Sequence, residues 1–436
     1  MFQSQAVIGI TNAQKNPPLE QCVWPEDALN NIPDWVYTSQ AVYDLEIERI
    51  FRGDTWNFVA LEAEIPNPGD YKRGYVGSTP VVVARAEDST ISVFENRCAH
   101  RGAEFCRSNQ GNAKEFVCPY HQWSYDLKGN LQGIPFKRGV DKVGGMPANF
   151  RNADHGTRKL RVTARNGVVF ATYSDRTPSL EEYMTKEIVD EFDVTFPGKK
   201  LKILGYYRNE LPCNWKMYHE NLKDPYHATL LHSFLVVFGL LVPGIKASVF
   251  ADQEHGRHGY MASAKPQQTY ATVSDDNKAE MRSFDENLKL HDERFVDFVR
   301  EFNSPWSACM MTLWPNLIVQ REMNTLGVRQ IIPNGPHSMI MQWTIFGYDD
   351  DTPEMTNHRL RQGNLMGPAG FLGLEDNEAL KFVQDGLRRS STDNNVLKLD
   401  ADQLGTTRGL ISESCIRSLY AYYRGVMDIP VAGSAA

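Results

Sequence analysis

Residues 98–121 read CAHRGAEFCRSNQGNAKEFVCPYH, and this stretch decides the interpretation of the fold. Its ends carry two pairs of metal-binding residue types, Cys98 with His100 and Cys118 with His121. Two cysteines and two histidines suit either a Zn²⁺ ion or a [2Fe–2S] cluster in which two histidines replace two cysteines on one iron. Each pair mixes a thiolate with an imidazole, whereas a zinc finger groups like ligands together, so the pattern favours the cluster.

A purely structural interpretation makes these residues two core cysteines and two ordinary histidines. Four ligand types in two close pairs within a β-rich segment argue against it. Cys106 lies between the pairs, and we expect it to be a small buried residue because the four-ligand set is complete without it. Gly102 and Pro119 suit tight loops rather than a recognition helix.

Working outward from this stretch, short apolar runs separated by turn residues predict strands on both sides of it. We therefore predict an N-terminal arm over residues 1–44, a small all-β domain over 45–165 and a larger domain over 166–436. In the larger domain, strand patterns at 201–211 and beyond 309 alternate with helical periods at 215–224, 277–302, 356–366 and 376–386. The predicted class is α+β, with an antiparallel sheet covered by helices.

Composition excludes several classes of protein. The chain has 46 Lys and Arg against 54 Asp and Glu, a net charge of −8 and no long basic block, so nucleic acid and anionic membranes are poor partners. No secretory signal or membrane-spanning apolar segment is visible. Seven cysteines are an odd number and argue against a disulfide framework. We expect a soluble cytoplasmic protein.

A second group of ligand types lies in residues 214–234, NWKMYHENLKDPYHATLLHSF. A mononuclear Fe(II) site for O₂ uses two histidines and one carboxylate, and His227 and His232 are the candidate histidines. Five residues apart, they converge only on irregular backbone, for which Pro225 supplies a break. Asp224 can support His227 through the second ring nitrogen. The segment is not HExxH, because Lys223 stands at its last position.

The third ligand must come from elsewhere in the chain. Residues 367–380 read GPAGFLGLEDNEAL, which predicts a turn followed by a helix that Glu375 and Asp376 open. We favour Asp376 over Glu375 as the carboxylate ligand. The alternative is that both are ordinary acids of a helix start, with His227 and His232 as core histidines.

These segments together resemble the large (α) subunits of Rieske non-haem iron aromatic-ring-hydroxylating oxygenases, over nearly the whole chain. The marks are CAHRG at 98–102, CPYHQWSY at 118–125, NWK at 214–216, EN at 220–221, DxxHxxxxH at 224–232 and GPAGF at 367–371. LEAEIPNPGDYKR, GMPANF and KLKILGY resemble the branch of salicylate hydroxylase, anthranilate dioxygenase and terephthalate dioxygenase.

The resemblance implies the cofactors and their ligands. These are Cys98, His100, Cys118 and His121 for the Rieske cluster, His227, His232 and Asp376 for Fe(II), and Asp224 and Asn221 as catalytic residues beside that iron. Asp224 would bridge His121 of one subunit to His227 of the next, which requires an oligomer, such as α3β3 with a small β subunit. NAD(P)H would supply electrons through a separate ferredoxin or flavin reductase, and O₂ would be the co-substrate.

The implied activity is ring hydroxylation of a benzoate-type acid with an ortho hydroxyl or amino group; the alternative is cis-dihydroxylation of a terephthalate-type dicarboxylate. A buried carboxylate needs a cation, and Arg329, Arg321 and Arg417 are the candidates. Phe234, Leu235, Val237 and Phe238 are candidate walls of an apolar pocket, and residues 243–285 are predicted to form a mobile flap. Two rival interpretations are an electron carrier that has only the cluster and a zinc-stabilised binding module.

Overall fold

Two seven-stranded antiparallel sheets organise the chain. The computed structural model describes residues 16–25, 29–241, 245–264, 274–282, 284–285, 287–391, 394–401 and 403–433. An all-β unit comes first, and a second sheet flanked by helices follows it, so the predicted α+β class is confirmed. None of the helices in these ranges is long and apolar enough to cross a membrane.

The N-terminal segment is tied to residues 215–216 by buried polar contacts. It consists of strand β1 (Asn31–Pro33), helices α1 (Trp35–Thr38) and α2 (Gln40–Glu46), and a π-helical turn, Ile47–Phe51. The Ser39 hydroxyl begins α2 by accepting the N–H of Val42 at 3.3 Å. At the other end, Glu46 accepts hydrogen bonds from Lys216 Nζ at 2.6 Å and Trp215 Nε1 at 2.7 Å, all three being fully buried or nearly so.

The first sheet surrounds the stretch that carries the cysteine–histidine pairs. Its strands are β2 (Asn57–Leu61), β3 (Asp70–Val76), β4 (Thr79–Arg85), β5 (Ile91–Glu95), β6 (Gln110–Asn112), β10 (Lys159–Arg165) and β11 (Val168–Thr172). Between β6 and β10 the chain forms a separate three-stranded sheet of β7 (Phe116–Val117), β8 (Ser124–Tyr125) and β9 (Leu131–Gly133). Their spatial order is β2-β11-β10-β5-β4-β3-β6. Because β11 ends at Thr172, the sheet extends past residue 165; the domain boundary there stays a prediction.

The second sheet and its helices form the larger part of the chain. The elements are α3 (Leu180–Met184), α4 (Lys186–Thr195), β12 (Leu201–Leu211), α5 (Lys216–Asn221), α6 (Pro225–Ala228), α7 (Ser233–Val237), β13 (Ala247–Ala251), β14 (Gly259–Ser263), α8 (Asp275–Glu280), β15 (Ala308–Leu313), β16 (Leu317–Glu322), β17 (Thr325–Pro333), β18 (Met339–Tyr348), α9 (Pro353–Met366), α10 (Phe371–Arg389), β19 (Asn394–Val396) and α11 (Ser414–Met427). The strand order is β12-β18-β17-β16-β15-β14-β13, and β19 pairs with β1. Every residue of β16 and β17 is buried, because helices cover the centre of the sheet.

The largest apolar core joins the N-terminal segment to both sheets and to α11. Trp215 lies at its centre, with ring centroids 4.9 Å from Phe51 and 5.0 Å from Trp314. Aromatic side chains of this size contribute much of the burial energy of a core. The packing therefore holds α5 against the N-terminal segment and against the turn after β15. α5 leads into residues 224–232, called the histidine segment below.

Two predictions about residues 243–302 are wrong where the structure describes them. Among the described residues of 277–302, the predicted helix is only α8 and a single 3₁₀ turn, Glu293–Phe295. Most side chains there are exposed, and the apolar ones, such as Phe298, pack from irregular backbone. The predicted flap over 243–285 contains β13 and β14, which complete one edge of the second sheet. The remainder of the flap prediction includes residues 243–244 and 265–273, which lie outside the described residues.

Candidate metal centres

Two loops of the same construction carry the cysteine–histidine pairs. In each loop the cysteine N–H donates to the carbonyl five residues later, at 2.9 Å for Cys98 and 2.8 Å for Cys118. The fourth residue after each cysteine donates back to the cysteine carbonyl at 2.9 Å, and this residue, Gly102 or Gln122, has a positive φ of 77° or 58°. The two turns therefore share their backbone hydrogen bonds, although the histidine is the second residue after Cys98 and the third after Cys118.

The cysteine sulfurs of these loops are buried, whereas the histidine rings lie closer to the surface. Cys98 and Cys118 are each 1% exposed, whereas the His100 and His121 rings lie nearer the surface with their centroids 4.4 Å apart. The Tyr125 hydroxyl donates to Cys98 Sγ at 3.3 Å. A [2Fe–2S] cluster with two thiolates on one iron and two imidazoles on the other fits this donor set, with its histidine edge facing outward.

Neighbouring side chains fix the first loop. Asn96 accepts the N–H of Cys106 at 2.9 Å and donates to the carbonyl of the same residue at 2.7 Å. Cys106 is buried, which raises the pKa of its thiol to about 11, so its predicted role as a small buried residue is confirmed. The Trp123 ring stacks on His100 with centroids 4.9 Å apart.

The second centre joins residues from two distant parts of the chain. His227, His232 and Asp376 each offer a ligand atom, and these atoms all lie within 4.8 Å of one another. Asp376 Oδ1 is 3.0 Å from Nε2 of His232 and 3.6 Å from Nε2 of His227. Two imidazole nitrogens and one carboxylate oxygen thus meet at one point, which is the donor set of a mononuclear Fe(II) site.

Local backbone chemistry explains how the two histidines converge. Asp224 ends the preceding turn and accepts the N–H groups of Tyr226 and His227 at 2.9 and 3.4 Å, with Pro225 in the first position of α6. α6 ends at Ala228, and the backbone of His232 is not helical. The predicted irregular backbone between the two histidines is therefore confirmed.

The two candidate carboxylates have different partners. Glu375 Oε2 contacts Nδ1 of His232 at 2.7 Å, on the side of the ring away from Asp376. Asp376 is 3% exposed in its side chain and faces both Nε2 atoms, whereas Glu375 is 32% exposed. Both residues lie in the second turn of α10, which begins at Phe371 and so starts earlier than predicted.

The acidic side chains at the second centre favour the presence of a positive charge. Burial lowers the pKa of the His232 imidazole, but its hydrogen bonds with Asp376 and Glu375 outweigh burial and raise that pKa to about 9. Burial acts to raise the pKa of Asp376, yet the contacts with His232 and His227 hold it below its ordinary value. A cation fits a buried carboxylate with these partners.

Asn221 and Asp224 complete the surroundings of His227. Asn221 Nδ2 lies 3.1 Å from Asp376 Oδ1 and 3.3 Å from His227 Nε2, and its buried Oδ1 has no hydrogen-bond partner. Asp224 Oδ2 lies 3.2 Å from His227 Nδ1, and the Asp224 side chain is 27% exposed. Asp224 thus connects the ring of His227 to the surface.

A buried polar network beside this centre was not predicted from the sequence. Glu220, next to Asn221 on α5, accepts hydrogen bonds from the hydroxyls of Tyr37 and Tyr420. Burial raises the pKa of Glu220 to about 7. The two tyrosines come from α1 and α11, so the network ties both ends of the chain to the histidine segment, and only the tertiary fold brings its members together.

A mostly apolar cavity opens at the second centre. Its wall includes Leu235, Met310, Met366 and Leu372, together with Asp376 and both histidines. Of the predicted wall residues Leu235 lines the cavity, whereas Phe234, Val237 and Phe238 do not. Phe234 instead packs behind His232, with ring centroids 6.0 Å apart.

The three candidate arginines do not reach the cavity wall. Arg321 forms an ion pair with Glu191, and Arg417 donates to four backbone carbonyls near residues 397–403. Arg329 is fully buried over the Trp343 ring at 3.8 Å and donates to the Tyr218 hydroxyl at 3.3 Å. The prediction that one of them holds a substrate carboxylate is therefore not supported by their positions.

Two family models match the chain. One is described as the Rieske [2Fe-2S] domain and matches residues 55–144. The other is described as the ring hydroxylating alpha subunit (catalytic domain) and matches residues 199–429. The first match contains both cysteine–histidine pairs, and the second contains His227, His232 and Asp376.

Curated relatives match over almost the full chain. The large oxygenase component of salicylate 5-hydroxylase from Ralstonia sp is 43% identical over 93% of this chain and 96% of its own length. The large subunit of anthranilate 1,2-dioxygenase from Burkholderia cepacia is 44% identical, covering 93% and 95%. Subunit alpha 2 of the terminal oxygenase component of terephthalate 1,2-dioxygenase from Comamonas sp is 37% identical, covering 92% and 96%.

A solved structure has the same fold. Naphthalene 1,2-dioxygenase from Rhodococcus sp, crystallised with indole, superposes with a TM-score of 0.72 over 93% of this chain and 95% of that chain, at 24% identity. At this identity the likeness concerns the fold alone.

Proposed function

The chain belongs to the Rieske ring-hydroxylating oxygenases, as an alpha subunit, and we propose that it hydroxylates the ring of a benzoate-type aromatic acid carrying an ortho hydroxyl or amino group. It is an oxidoreductase whose cofactors are a Rieske [2Fe–2S] cluster and a mononuclear iron. Its relatives are named as large components or subunits of multicomponent oxygenases. The observation that carries the substrate proposal is the identity of 43% and 44% to the salicylate and anthranilate enzymes over 93% of the chain.

The ligands follow from the donor atoms. Cys98 and Cys118 would hold one iron of the cluster, and His100 and His121 the other. His227, His232 and Asp376 would hold the mononuclear iron; their convergence within 4.8 Å supports this set. When bound, the cluster supplies single electrons and the mononuclear iron supplies open coordination positions for O₂.

The residues around the iron site orient and shield it. Glu375 would fix the ring of His232 through its hydrogen bond at Nδ1, and Asp224, whose Oδ2 lies 3.2 Å from Nδ1 of His227 but is not aligned for a hydrogen bond, would act on that ring through its charge. Asn221 would hold the Asp376 carboxylate through its amide N–H. The apolar cavity wall excludes water from the aromatic ring of the substrate.

Electron delivery is proposed to cross a subunit interface. Asp224 is part exposed while His227, which it contacts, is largely covered, so Asp224 can meet an outward-facing His121 of a neighbouring subunit. This requires an oligomer, which we propose to be α3β3 with a small β subunit. A ferredoxin or flavin reductase would bring electrons from NAD(P)H.

A second candidate is cis-dihydroxylation of a terephthalate-type dicarboxylate. The 37% identity to the Comamonas terephthalate component over 92% of the chain favours it. Against it, the described cavity wall contains no arginine or lysine, so a dicarboxylate would bring two charges without a basic side chain in contact where a benzoate-type acid brings one.

The test is turnover of defined aromatic acids by the holoenzyme with its reductase under ¹⁸O₂. Salicylate and anthranilate are expected to give ring-hydroxylated products that contain ¹⁸O, with one NAD(P)H consumed per product. Exclusive conversion of terephthalate to a cis-diol would replace the first candidate by the second. NAD(P)H oxidation that yields only hydrogen peroxide with all three acids would contradict both.

A further inference from the structure

Glu322 is the one acidic side chain in the described cavity wall apart from Asp376 of the metal centre. It is 7% exposed and lies at the end of β16. The described wall contains no lysine or arginine that could neutralise it by contact. A buried carboxyl group in an otherwise apolar wall costs free energy unless it has hydrogen-bond partners, so its place there calls for a reason.

Glu322 is held in position from behind. Gln320, two residues earlier on the same face of β16, donates from Nε2 to Glu322 Oε2 at 3.0 Å and to the Met366 carbonyl at 2.9 Å. Met366 itself lines the cavity. The carboxyl group is therefore oriented before any ligand enters, which lowers the cost of using it in binding.

A positive charge deeper in the fold supports the carboxyl group. Arg329 on β17 pairs with Ile318 of β16, so its side chain leaves the sheet on the same face as Gln320 and Glu322. Arg329 is fully buried, and its Nε and one terminal nitrogen have no hydrogen-bond partner. Burial raises the pKa of Glu322 above its ordinary value, and the hydrogen bond from Gln320 and then the charge of Arg329 oppose that rise.

The Glu322 carboxyl group distinguishes ligands by the ring substituent that contacts it. A carboxyl oxygen accepts a hydrogen bond from a hydroxyl or amino group, whereas a methoxy or methyl group in the same place leaves the buried oxygen without a partner. At this position a ligand carboxylate would face the acidic group with no arginine or lysine in the described wall, so the carboxylate of an aromatic acid is expected to lie elsewhere in the cavity. The wall therefore prefers a donor group at this position.

We propose that Glu322 is the specificity-determining residue of this cavity and that it selects aromatic substrates carrying a ring hydroxyl or amino group, which donates a hydrogen bond to its carboxyl oxygen. This rests on the proposed function for the substrate's aromatic acid character. It goes further by naming the group that reads the ring substituent and by disfavouring a para-dicarboxylate.

The test is the binding of matched ligands to the anaerobic holoenzyme by calorimetry, without turnover. The pairs are hydroxybenzoate with methoxybenzoate at each ring position, and phenol with anisole. We expect the better hydroxy isomer to bind about 10- to 100-fold more tightly than its methoxy analogue, and phenol more tightly than anisole. Terephthalate is expected to bind more weakly than the hydroxybenzoate.

Variants connect this preference to Glu322. Glu322→Leu is expected to bring the hydroxy-to-methoxy ratio close to one. Glu322→Gln keeps an acceptor oxygen and the shape of the side chain, and is expected to retain the preference while improving terephthalate binding about tenfold. The exposed Glu354→Gln on α9 is the control and should leave all the ratios unchanged. If the leucine variant does not fold, the glutamine variant carries the test through terephthalate binding.

The outcomes separate this proposal from the proposed function. If aromatic acids bind but the ratios are the same in wild type and Glu322 variants, the role of Glu322 is contradicted and the proposed function stands. If no aromatic acid binds while phenol is preferred over anisole in a Glu322-dependent way, the proposed function fails and the role of Glu322 stands.

Discussion

The two metal centres are built on opposite principles. The cluster donors come from two short loops of one sheet region, and two of the four, His100 and His121, lie towards the surface. The iron donors come from α6, the start of α7 and α10, and Asp376 and His232 are almost fully buried. The first centre is local in sequence and open; the second depends on long-range packing and is closed.

This difference teaches where each centre is vulnerable. The cluster loops keep their shape through backbone hydrogen bonds within a few residues, so changes elsewhere in the chain should affect them little. The iron site needs α10 to stay docked against α5 and the histidine segment, so its integrity follows tertiary stability. The predictions below use variants that affect one centre and leave the other as an internal reference.

The largest effect is expected from Asp376→Ala. Loss of the carboxylate that faces both Nε2 atoms should release the mononuclear iron and lower turnover by more than about 100-fold. The cluster spectrum should be unchanged. Iron analysis with the visible spectrum checks this, and the exposed Glu378→Ala on the same helix is the control.

A parallel variant, Glu375→Ala, decides between the two carboxylates. Because Glu375 contacts the outer nitrogen of His232, we expect weaker iron binding by about 10- to 100-fold rather than its loss. Complete iron loss in Glu375→Ala with retention in Asp376→Ala would reverse the ligand assignment.

The next effect is expected from Asp224→Asn. The amide keeps the cap of α6 but removes the charge beside His227 Nδ1, so both metals should be retained while turnover falls about 10- to 100-fold. Rapid mixing should show slower reoxidation of the reduced cluster by substrate and O₂. An unchanged reoxidation rate, compared with the exposed Asp190→Asn control, would mean that Asp224 does not connect the two centres.

A pH-dependent difference is expected from Glu220→Gln. The pKa of Glu220 is about 7 in the folded chain against about 4.5 unfolded, so the folded state binds the proton more tightly. Its contribution to stability is fully present below about pH 4.5 and is lost as the pH rises to about 7, by about 3 kcal/mol at most. Wild type should therefore lose stability relative to Glu220→Gln over this range.

Thermal unfolding of both proteins at pH 5 and pH 8 measures this difference. Because the Glu220 network supports the buried centre, wild type should also lose its mononuclear iron at a lower temperature at pH 8 than at pH 5. The cluster absorption should persist at both pH values. A gap between the two unfolding temperatures that is the same at both pH values would contradict the assigned role of Glu220.

The smallest effect is expected from Tyr125→Phe. This change removes the hydroxyl that donates to Cys98 Sγ at 3.3 Å, and hydrogen bonds to cluster sulfurs raise the reduction potential. A loss of about 1 kcal/mol corresponds to a fall of about 40 mV for one electron. Redox titration of the cluster measures it, and the metal content of the iron site should not change. A potential equal to wild type would show that this hydrogen bond has no electronic role.

The sequence predicted what is local. The four cluster-type residues lie within 24 positions of one another, and Gly102 and Pro119 between them are typical of tight loops. Pro225 likewise predicted the irregular backbone between His227 and His232. The α+β class and the strand at residues 201–211 were also predicted, and that strand forms an edge of the second sheet with buried residues only at its two ends.

The features that depend on tertiary contacts could not be predicted from the sequence. Arg321, Arg329 and Arg417 are attractive carboxylate partners by residue type, but only the fold reveals that Glu191, an aromatic cage and backbone carbonyls surround them. The periodicity over 277–302 predicted a long helix, whereas the apolar side chains of this stretch pack from mostly irregular backbone. Glu322 has no sequence signal at all, since an acidic residue at a strand end is ordinarily exposed.

The most direct test of the two-centre account is the metal content of the anaerobically purified protein, together with its visible spectrum. The account predicts about three irons and about two labile sulfides per chain, little zinc, and absorption that dithionite bleaches. A loss to about two irons that Fe(II) addition reverses, with recovery of turnover, agrees with it. A colourless protein loaded with zinc would contradict it.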